Sequence, residues 1–277
     1  MYHSLTSFCS NHFRFGIIIR FVVLMLSTIP ALSSTIDSTT IVIVGTVHAK
    51  TDKFTYQALY DILERIKPDL ILCELDSSFF TPAMSIKPEF IRISLENMVV
   101  ADYQNAHKTM IRPYDIEGRN KIYSEHNYFE RQKEFSKALN QADKDNQIQG
   151  ESAILLGVID RFDQIGLAFG SESPNVINSS PCFVAMEAKQ FYANDGLVKI
   201  VNSVPVLKEF TEFVTFKRDF WITRNEAMTD NILKWSKLLH PGTIIVLCGF
   251  EHSYYLRNKL NMRNITNTFK LREYWTY

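Results

Sequence analysis

Three short apolar runs restrict the fold most strongly, because each has the composition of a strand that is buried on both faces. They cover residues 41–44, 70–73 and 244–248, and aliphatic side chains dominate them. Such runs are typical of parallel strands that helices cover. Between the first two, residues 54–66 carry apolar side chains at helical spacing, and Lys67-Pro68-Asp69 ends that helix. The strand–helix–strand unit has the size of a right-handed parallel crossover.

The rest of the chain alternates helical patterns with polar loops. The expected elements are a helix at about 90–107, a strand at 111–115, a polar helix and loop within 124–150, a loop at 170–181, a long helix at 206–239 and a helix at 253–260. Strands that alternate with helices predict an α/β fold. We expect a central, mostly parallel or mixed sheet flanked by helices, with a helical middle region.

The composition is that of an ordinary globular protein. The chain has 277 residues, of which 46% are apolar and 22% charged, and its formal net charge is zero. A net charge of zero provides no long-range attraction for nucleic acid or anionic lipid, so we expect no nucleic-acid partner. The length allows one large domain or two small ones. We predict one α/β domain over residues 34–277.

The N-terminal 33 residues have the order of an export signal. Arg14 and Arg20 supply positive charge, an apolar segment runs to Leu32, and Ala31-Leu32-Ser33 is a small-x-small cleavage sequence. We therefore predict a secreted or periplasmic protein with no stable membrane span after signal cleavage. An uncleaved N-terminal membrane anchor is the alternative, since residues 15–19 extend the apolar stretch.

The cysteines beyond the predicted signal do not suggest a disulfide framework. Cys73, Cys182 and Cys248 are odd in number and have no paired spacing. Cys73 and Cys248 end two apolar runs, which favours small buried hydrophobic side chains. A disulfide between these two stays open if their strands are adjacent.

Two of the apolar runs end in the same pattern, Gly-x-x-His. Gly45-Thr46-Val47-His48 ends the first run, and Gly249-Phe250-Glu251-His252 ends the last. Ligands bind at the carboxyl ends of strands in open α/β sheets. If the two strands are neighbours, His48 and His252 converge there. We expect each glycine to allow a tight turn, after which the imidazole projects over the sheet edge.

Glu74 follows the remaining apolar run and adds a carboxylate to the two histidines. A set of two histidines and one carboxylate suits a divalent metal that keeps positions open for water and substrate. Such a metal lowers the pKa of its bound water and polarises a carbonyl. Asp76 lies two residues further, either as a partner that holds a ligand histidine or as an ordinary solvated carboxylate.

Two arginines are candidates for the same rim. Arg224 lies in the long helix, where it is either a salt-bridged surface residue or an anchor for a substrate carboxylate or oxyanion. Arg119, with Glu117, follows a predicted strand end and also reaches the rim. The sequence contains no Gly-rich phosphate loop and no Gly-x-Ser-x-Gly elbow, which disfavours a serine hydrolase.

At these residues the chain resembles the Tiki/TraB/GumN family, which is related more distantly to erythromycin esterases and ChaN-like haem-binding lipoproteins. The matching segments are Gly45-Thr46-Val47-His48, Cys73-Glu74-Leu75-Asp76, Arg224-Asn225-Glu226-Ala227-Met228 and Gly249-Phe250-Glu251-His252. The resemblance covers residues 41 to about 260. It departs at Thr223, where the family often has Glu, and at Glu251, where a small or apolar residue is common.

The resemblance implies a metal-dependent protease with His48, Glu74 and His252 at the metal and Arg224 beside it. Manganese or cobalt is the metal it implies, and zinc also suits this ligand set. We therefore expect an exported metal-dependent hydrolase that acts on a peptide or another small-molecule substrate. One alternative is a non-catalytic protein that binds haem or another small ligand. Another is a metal-free, esterase-type hydrolase with His48 as general base.

Overall fold

The computed structural model describes residues 38–48 and 50–277, so the predicted signal segment lies outside the described residues. Within them the chain forms a five-stranded sheet with the order β3-β2-β4-β1-β5. The strands are β1 (Thr39–Thr46), β2 (Leu70–Cys73), β3 (Met110–Pro113), β4 (Thr243–Gly249) and β5 (Phe269–Arg272). Every neighbouring pair is parallel. The α/β prediction is confirmed, and the sheet is parallel throughout rather than mixed.

Helices cover both faces of the sheet and form the middle of the chain. They are α1 (Tyr56–Ile66), α2 (Pro88–Ile91), α3 (Leu95–His107), α4 (Arg119–Glu125), α5 (Tyr128–Lys144), α6 (Glu151–Gly170), α7 (Pro174–Ile177), α8 (Ser180–Ser203), α9 (Thr211–Leu239) and α10 (Phe250–Arg263). Short 3-10 turns lie at Ser77–Phe79, Pro205–Phe210 and Tyr274–Thr276. None of the helices in residues 38–48 and 50–277 is long and apolar enough to cross a membrane.

The sequence predicted four of the five strands and missed β5, and it placed several helix ends wrongly. The helix expected at 90–107 is divided into α2 and α3, because Ser94 caps a new helix by accepting a hydrogen bond from the Asn97 amide at 3.1 Å. The loop expected at 170–181 contains α7 and the start of α8. A proline occupies the first turn of each of these helices, where it starts a helix rather than ending one.

The sheet residues alternate between two apolar clusters, as expected for strands buried on both faces. One cluster packs Val42, Val44, Ile71 and Ile245 against α1 and α3. The other joins Ile41, Ile43, Leu70, Leu72, Ile244 and Val246 to Met228 and Ile232 of α9 and Leu256 of α10. A third cluster lies among α5, α6, α8 and α9 and includes no strand residue. The helical middle region therefore has a core of its own.

The disulfide left open by the sequence does not form. Cys73 lies in the first cluster and Cys248 in the second, so their side chains point to opposite faces of the sheet. Cys73 is opposite Leu247 in the β2–β4 ladder. Cys73, Cys182 and Cys248 are all buried free thiols, which agrees with their interpretation as small hydrophobic residues.

Candidate functional site

The carboxyl ends of three neighbouring strands create the site. β4 lies between β1 and β2, with Thr46 opposite Gly249 and Cys73 opposite Leu247. His48 follows β1 and Glu74 follows β2. The first turn of α10, which follows β4 directly, carries His252. The helix start is three residues earlier than expected, so His252 lies in a helix and not in a loop. Arg224 approaches from α9 and completes the set of four predicted residues.

Other groups pack closely against the glycines of both motifs. A Cβ at Gly249 would lie 3.1 Å from His48 Nε2 and 3.6 Å from His252 Cδ2. A Cβ at Gly45 would lie 2.6 Å from the Oγ of Ser253 in α10. Gly249 has φ −51°, which any residue adopts. Close approach, and not the tight turn that we expected, explains this glycine, and both imidazoles lie around it.

Arg224 is the centre of a buried network of charges. Its Nε and Nη2 atoms donate to the two carboxylate oxygens of Asp115, each at 2.8 Å. Nη2 also donates to Glu74 Oε1 at 2.5 Å, and Nη1 lies 3.2 Å from His252 Nε2. Arg224 is only 7% exposed. Burial alone would lower the pKa of Arg224, but Glu74 and Asp115 raise it, so the guanidinium stays charged.

Glu74 is ionised and held on both oxygens. Its Oε2 atom accepts a hydrogen bond from the Gly249 amide at 2.6 Å, at the N-terminus of α10. Burial raises the pKa of Glu74, but the charges of His252 and Arg224 and the Gly249 hydrogen bond bring it down to about 2.

His252 is buried in a single, defined tautomer. The side-chain amide of Asn225 donates to the Trp221 carbonyl at 2.8 Å, which turns its Oδ1 atom toward His252 Nδ1, 2.8 Å away. The Nδ1 atom therefore carries the proton, and the Nε2 lone pair accepts from Arg224. The ring stacks on Trp221 with centroids 4.3 Å apart. Burial lowers the pKa of His252 to about 4, so the ring is neutral at pH 7.

The low pKa of His252 predicts a loss of stability in mild acid. An unfolded histidine, with pKa near 6.5, gains a proton between about pH 6.5 and 4, whereas folded His252 stays neutral there. The stabilisation is therefore present above pH 6.5, and up to about 3 kcal/mol is lost as the pH falls toward 4. Urea unfolding at about pH 7.5, 6 and 5 measures how the free energy of unfolding changes over this range.

The comparison that isolates His252 uses the slope of stability against pH. His252→Gln should flatten the slope between about pH 6.5 and 4 relative to the wild type. His240→Asn serves as the matched control, because His240 is exposed at the C-terminal end of α9. A wild-type slope that His252→Gln leaves unchanged would show that His252 is protonated equally in the folded and unfolded states.

His48 differs from His252 because its side chain is 67% exposed. Its Nδ1 atom lies 3.2 Å from Oε1 of Glu96, a largely buried residue in the first turn of α3. The same oxygen accepts from the Thr46 hydroxyl at 2.6 Å. Nδ1 faces the Glu96 carboxylate, and Nε2, on the other side of the ring, lies beside Gly249. The hydrogen bond to Glu96 raises the pKa of His48, although burial partly opposes it.

A cavity of about 240 Å³ opens at this rim. His48, Glu74, Glu96 and Arg119 provide its charged lining, and Leu75, Ile93, Val100 and Leu247 provide most of its apolar lining. Arg119 donates from Nη1 to Asp115 Oδ2 at 2.7 Å. Arg224 and His252 lie behind this lining, where Arg224 binds Glu74. The structure thus separates residues that line the cavity from residues that lie behind it.

The predicted metal ligands do not fit a three-ligand site in this arrangement. A metal held by His48, Glu74 and His252 would need the Nε2 lone pair of His252, to which Arg224 donates. The Arg224 guanidinium also neutralises Glu74, the only carboxylate of the set. In residues 38–48 and 50–277, no group of three or more His, Cys, Asp or Glu side chains is arranged to hold a metal ion.

Three residues that contact the predicted site residues were missed in the sequence analysis. The capping of a turn by Asp76 was not predicted either. Asp115 lies two residues after the end of β3, and the argument used for Glu74 applies to it as well. Glu96 and Asn225 lie inside helices and carry no sequence signal of their contacts with the histidines. Asp76 is buried and caps a 3-10 turn by accepting from the Ser78 amide at 2.9 Å. It is neither a solvated carboxylate nor a partner of a site histidine.

Comparisons of the chain with models of known families, with curated proteins and with solved structures find no match. The resemblance to the Tiki/TraB/GumN family therefore stays a prediction that rests on the four short motifs. The function has to be argued from the site itself.

Proposed function

We propose that this protein is a hydrolase in which His48 activates a water molecule as general base. The observation that carries the proposal is the pair formed by His48 and Glu96. The carboxylate lies 3.2 Å from the Nδ1 atom of His48, and His48 lines a cavity that also contains Glu74 and Arg119. A histidine oriented by a carboxylate and open to substrate is the arrangement that general-base catalysis requires.

The reaction steps follow from the positions of these groups. His48 Nε2 takes a proton from water as the oxygen attacks a substrate carbonyl. Glu96 accepts from Nδ1–H and stabilises the imidazolium that forms. Arg119 lines the same cavity and supplies positive charge for the oxyanion. The imidazolium then returns its proton to the leaving group, so that a peptide, amide or ester bond is hydrolysed.

Arg224 supports this chemistry from behind the cavity. All three nitrogens of its guanidinium group have a partner in Asp115, Glu74 or His252. A substrate carboxylate would have to displace one of these buried contacts. The positioning of Glu74 therefore accounts for Arg224 better than the substrate-anchoring role that we considered from the sequence.

A metal-dependent hydrolase is the second candidate, favoured by the tautomers of the two histidines. Each has its Nδ1 atom beside an acceptor oxygen, of Glu96 or of Asn225, which assigns the ring proton to Nδ1 and the lone pair to Nε2. Metal-ligating histidines are oriented in the same way by the partner of their other nitrogen. This candidate requires Arg224 to leave His252 before a metal binds.

One experiment separates these candidates. Purified protein is analysed for bound manganese, cobalt and zinc and assayed on fluorogenic peptides and p-nitrophenyl esters, with and without chelator. Our proposal expects hydrolysis that the chelator leaves unchanged. Loss of activity with chelator, restored by one of these metals, would favour the metal-dependent candidate. No hydrolysis of any substrate by protein that binds a small ligand would instead favour the non-catalytic binding protein.

Glu96→Gln tests the pair directly through the pH profile. The general base works when His48 is neutral, so activity falls below the pKa of His48, which the Glu96 hydrogen bond raises. Removing the carboxylate charge should move this acid limb to lower pH and reduce kcat by roughly tenfold or more. The measurement is kcat/KM against pH for both proteins.

The matched control is Glu89→Gln, because Glu89 is exposed on the neighbouring helix α2. It should leave the profile and kcat as they are in the wild type. An acid limb that stays in place in Glu96→Gln would contradict a role of Glu96 in holding His48.

A further inference from the structure

A second cavity, of about 340 Å³, lies among α5, α6, α8 and α9. Its apolar wall consists of Phe135, Leu139, Leu156, Ile159, Leu197 and Val214. Trp221 lines this cavity and also stacks on His252 of the candidate site. A volume of a few hundred Å³ is typical of small-molecule sites. The proposed function does not use this cavity.

Most charged groups of this cavity have a partner or lie in solvent. Lys189 lies 2.7 Å from Glu251 and 3.3 Å from Asp163. Arg218 is bound to the neighbouring Asp219, with Nε 2.8 Å from Oδ1. Asp160 is exposed, and burial and the charge of Asp163 raise its pKa. Within the described residues, every cationic group that lines this cavity has a carboxylate partner, with one exception.

The exception is Lys217, a half-buried residue of α9. Its ammonium donates to Gln132 Oε1 at 2.5 Å, and the Gln132 amide nitrogen donates to Ser136 at 3.0 Å, which fixes the oxygen toward the lysine. In the part of the chain that the structure describes, no carboxylate lies within 4.0 Å of this ammonium. Burial also lowers the pKa of Lys217, and Asp163 only partly opposes this effect.

An ammonium that is withdrawn from water and bound to a neutral amide alone is costly. An anion that enters the cavity would form a charge-assisted hydrogen bond with Lys217 and relieve this cost. The apolar wall beside it accommodates a hydrocarbon body, which inorganic anions lack. The cavity thus offers Lys217 to an anionic group and the apolar wall to the hydrocarbon part of the same ligand.

We propose that this cavity is a second ligand site, which binds a small organic carboxylate with an apolar body, its carboxylate on Lys217 and its body against the apolar wall. The site is independent of hydrolysis by His48. It adjoins the candidate site through Trp221, whose indole contacts both the cavity and His252. Ligand binding should therefore change the fluorescence of Trp221.

The test is titration of the full chain with hexanoate, benzoate and phenylacetate. Calorimetry and tryptophan fluorescence measure the binding. At least one of these carboxylates should bind in the millimolar range or tighter, and its neutral amide analogue should bind about tenfold more weakly. Lys217→Met, which keeps the length of the apolar stem, should weaken binding of the carboxylate by about tenfold or more. Lys217→Arg should retain most of it.

The matched control is Lys237→Met, because Lys237 is an exposed lysine of the same helix. It should bind the carboxylate as the wild type does. Far-UV circular dichroism establishes that each variant is folded. Equal affinity for a carboxylate and its amide, unchanged affinity in Lys217→Met, or no binding of any of the three carboxylates at millimolar concentration would each overturn the proposal.

Discussion

Arg224→Met is expected to lower the free energy of unfolding by about 3–5 kcal/mol, the largest effect of any substitution that we consider. The variant keeps Asp115 and Glu74 buried but removes the guanidinium that binds both carboxylates. Domains of this kind are stable by about 5–15 kcal/mol in total, so the variant should be near unfolding. Urea denaturation followed by circular dichroism measures the loss.

Two further variants test whether the loss of stability comes from the unpaired carboxylates. Arg161→Met changes an exposed arginine of α6 and should alter stability by about 0.5 kcal/mol or less. Neutralising the two carboxylates in the background of Arg224→Met, with Glu74→Gln and Asp115→Asn, should recover part of the loss, because no buried charge is then left unpaired. A loss near 1 kcal/mol in Arg224→Met alone would mean that the network contributes little to folding.

His48→Ala has the opposite signature, with a large loss of activity and almost none of stability. If His48 is the general base that we propose, its removal should reduce kcat by about 10²- to 10⁴-fold. The side chain is two-thirds exposed and packs into neither apolar cluster of the sheet. The free energy of unfolding should therefore change by about 0.5 kcal/mol or less. Steady-state kinetics on the best peptide or ester substrate, together with urea unfolding, measure both quantities.

His240→Asn provides the control for His48. His240 follows α9 and precedes β4, so it lies at the amino end of the sheet, opposite the candidate site. Its backbone is left-handed, with φ 46°, which asparagine tolerates well. This variant should retain full activity. Retention of wild-type kcat in His48→Ala would refute His48 as the base, whatever the metal content of the protein.

The site was predictable from sequence to the extent that it depends on strand ends. Glu74 and the histidines of both Gly-x-x-His motifs were found because each follows an apolar run, and the parallel sheet brings the ends of these runs together. Asp115 follows the same rule at β3 and was recoverable. Glu96 and Asn225 were not, because a helical residue reveals its partner across the fold only when the helices are packed.

The roles within the site depended on burial, which the sequence pattern does not encode. His48 and His252 have the same motif, yet one is exposed and the other is 6% exposed, with its pKa lowered to about 4. The difference arises because α10 begins directly after β4 and carries His252 beneath Trp221. No such helix follows His48, whose ring stays at the cavity.

The sequence by itself determined the α/β architecture and the rim at which polar residues gather, because strand burial and strand ends are local patterns of apolar and polar side chains. Only the tertiary structure decided that Arg224 neutralises Glu74 and binds His252, and that Glu96 orients His48. These contacts join residues 28 to 150 positions apart in the chain. Hydrogen bonds over such separations depend on how helices pack on the sheet, and a linear pattern contains no record of that packing.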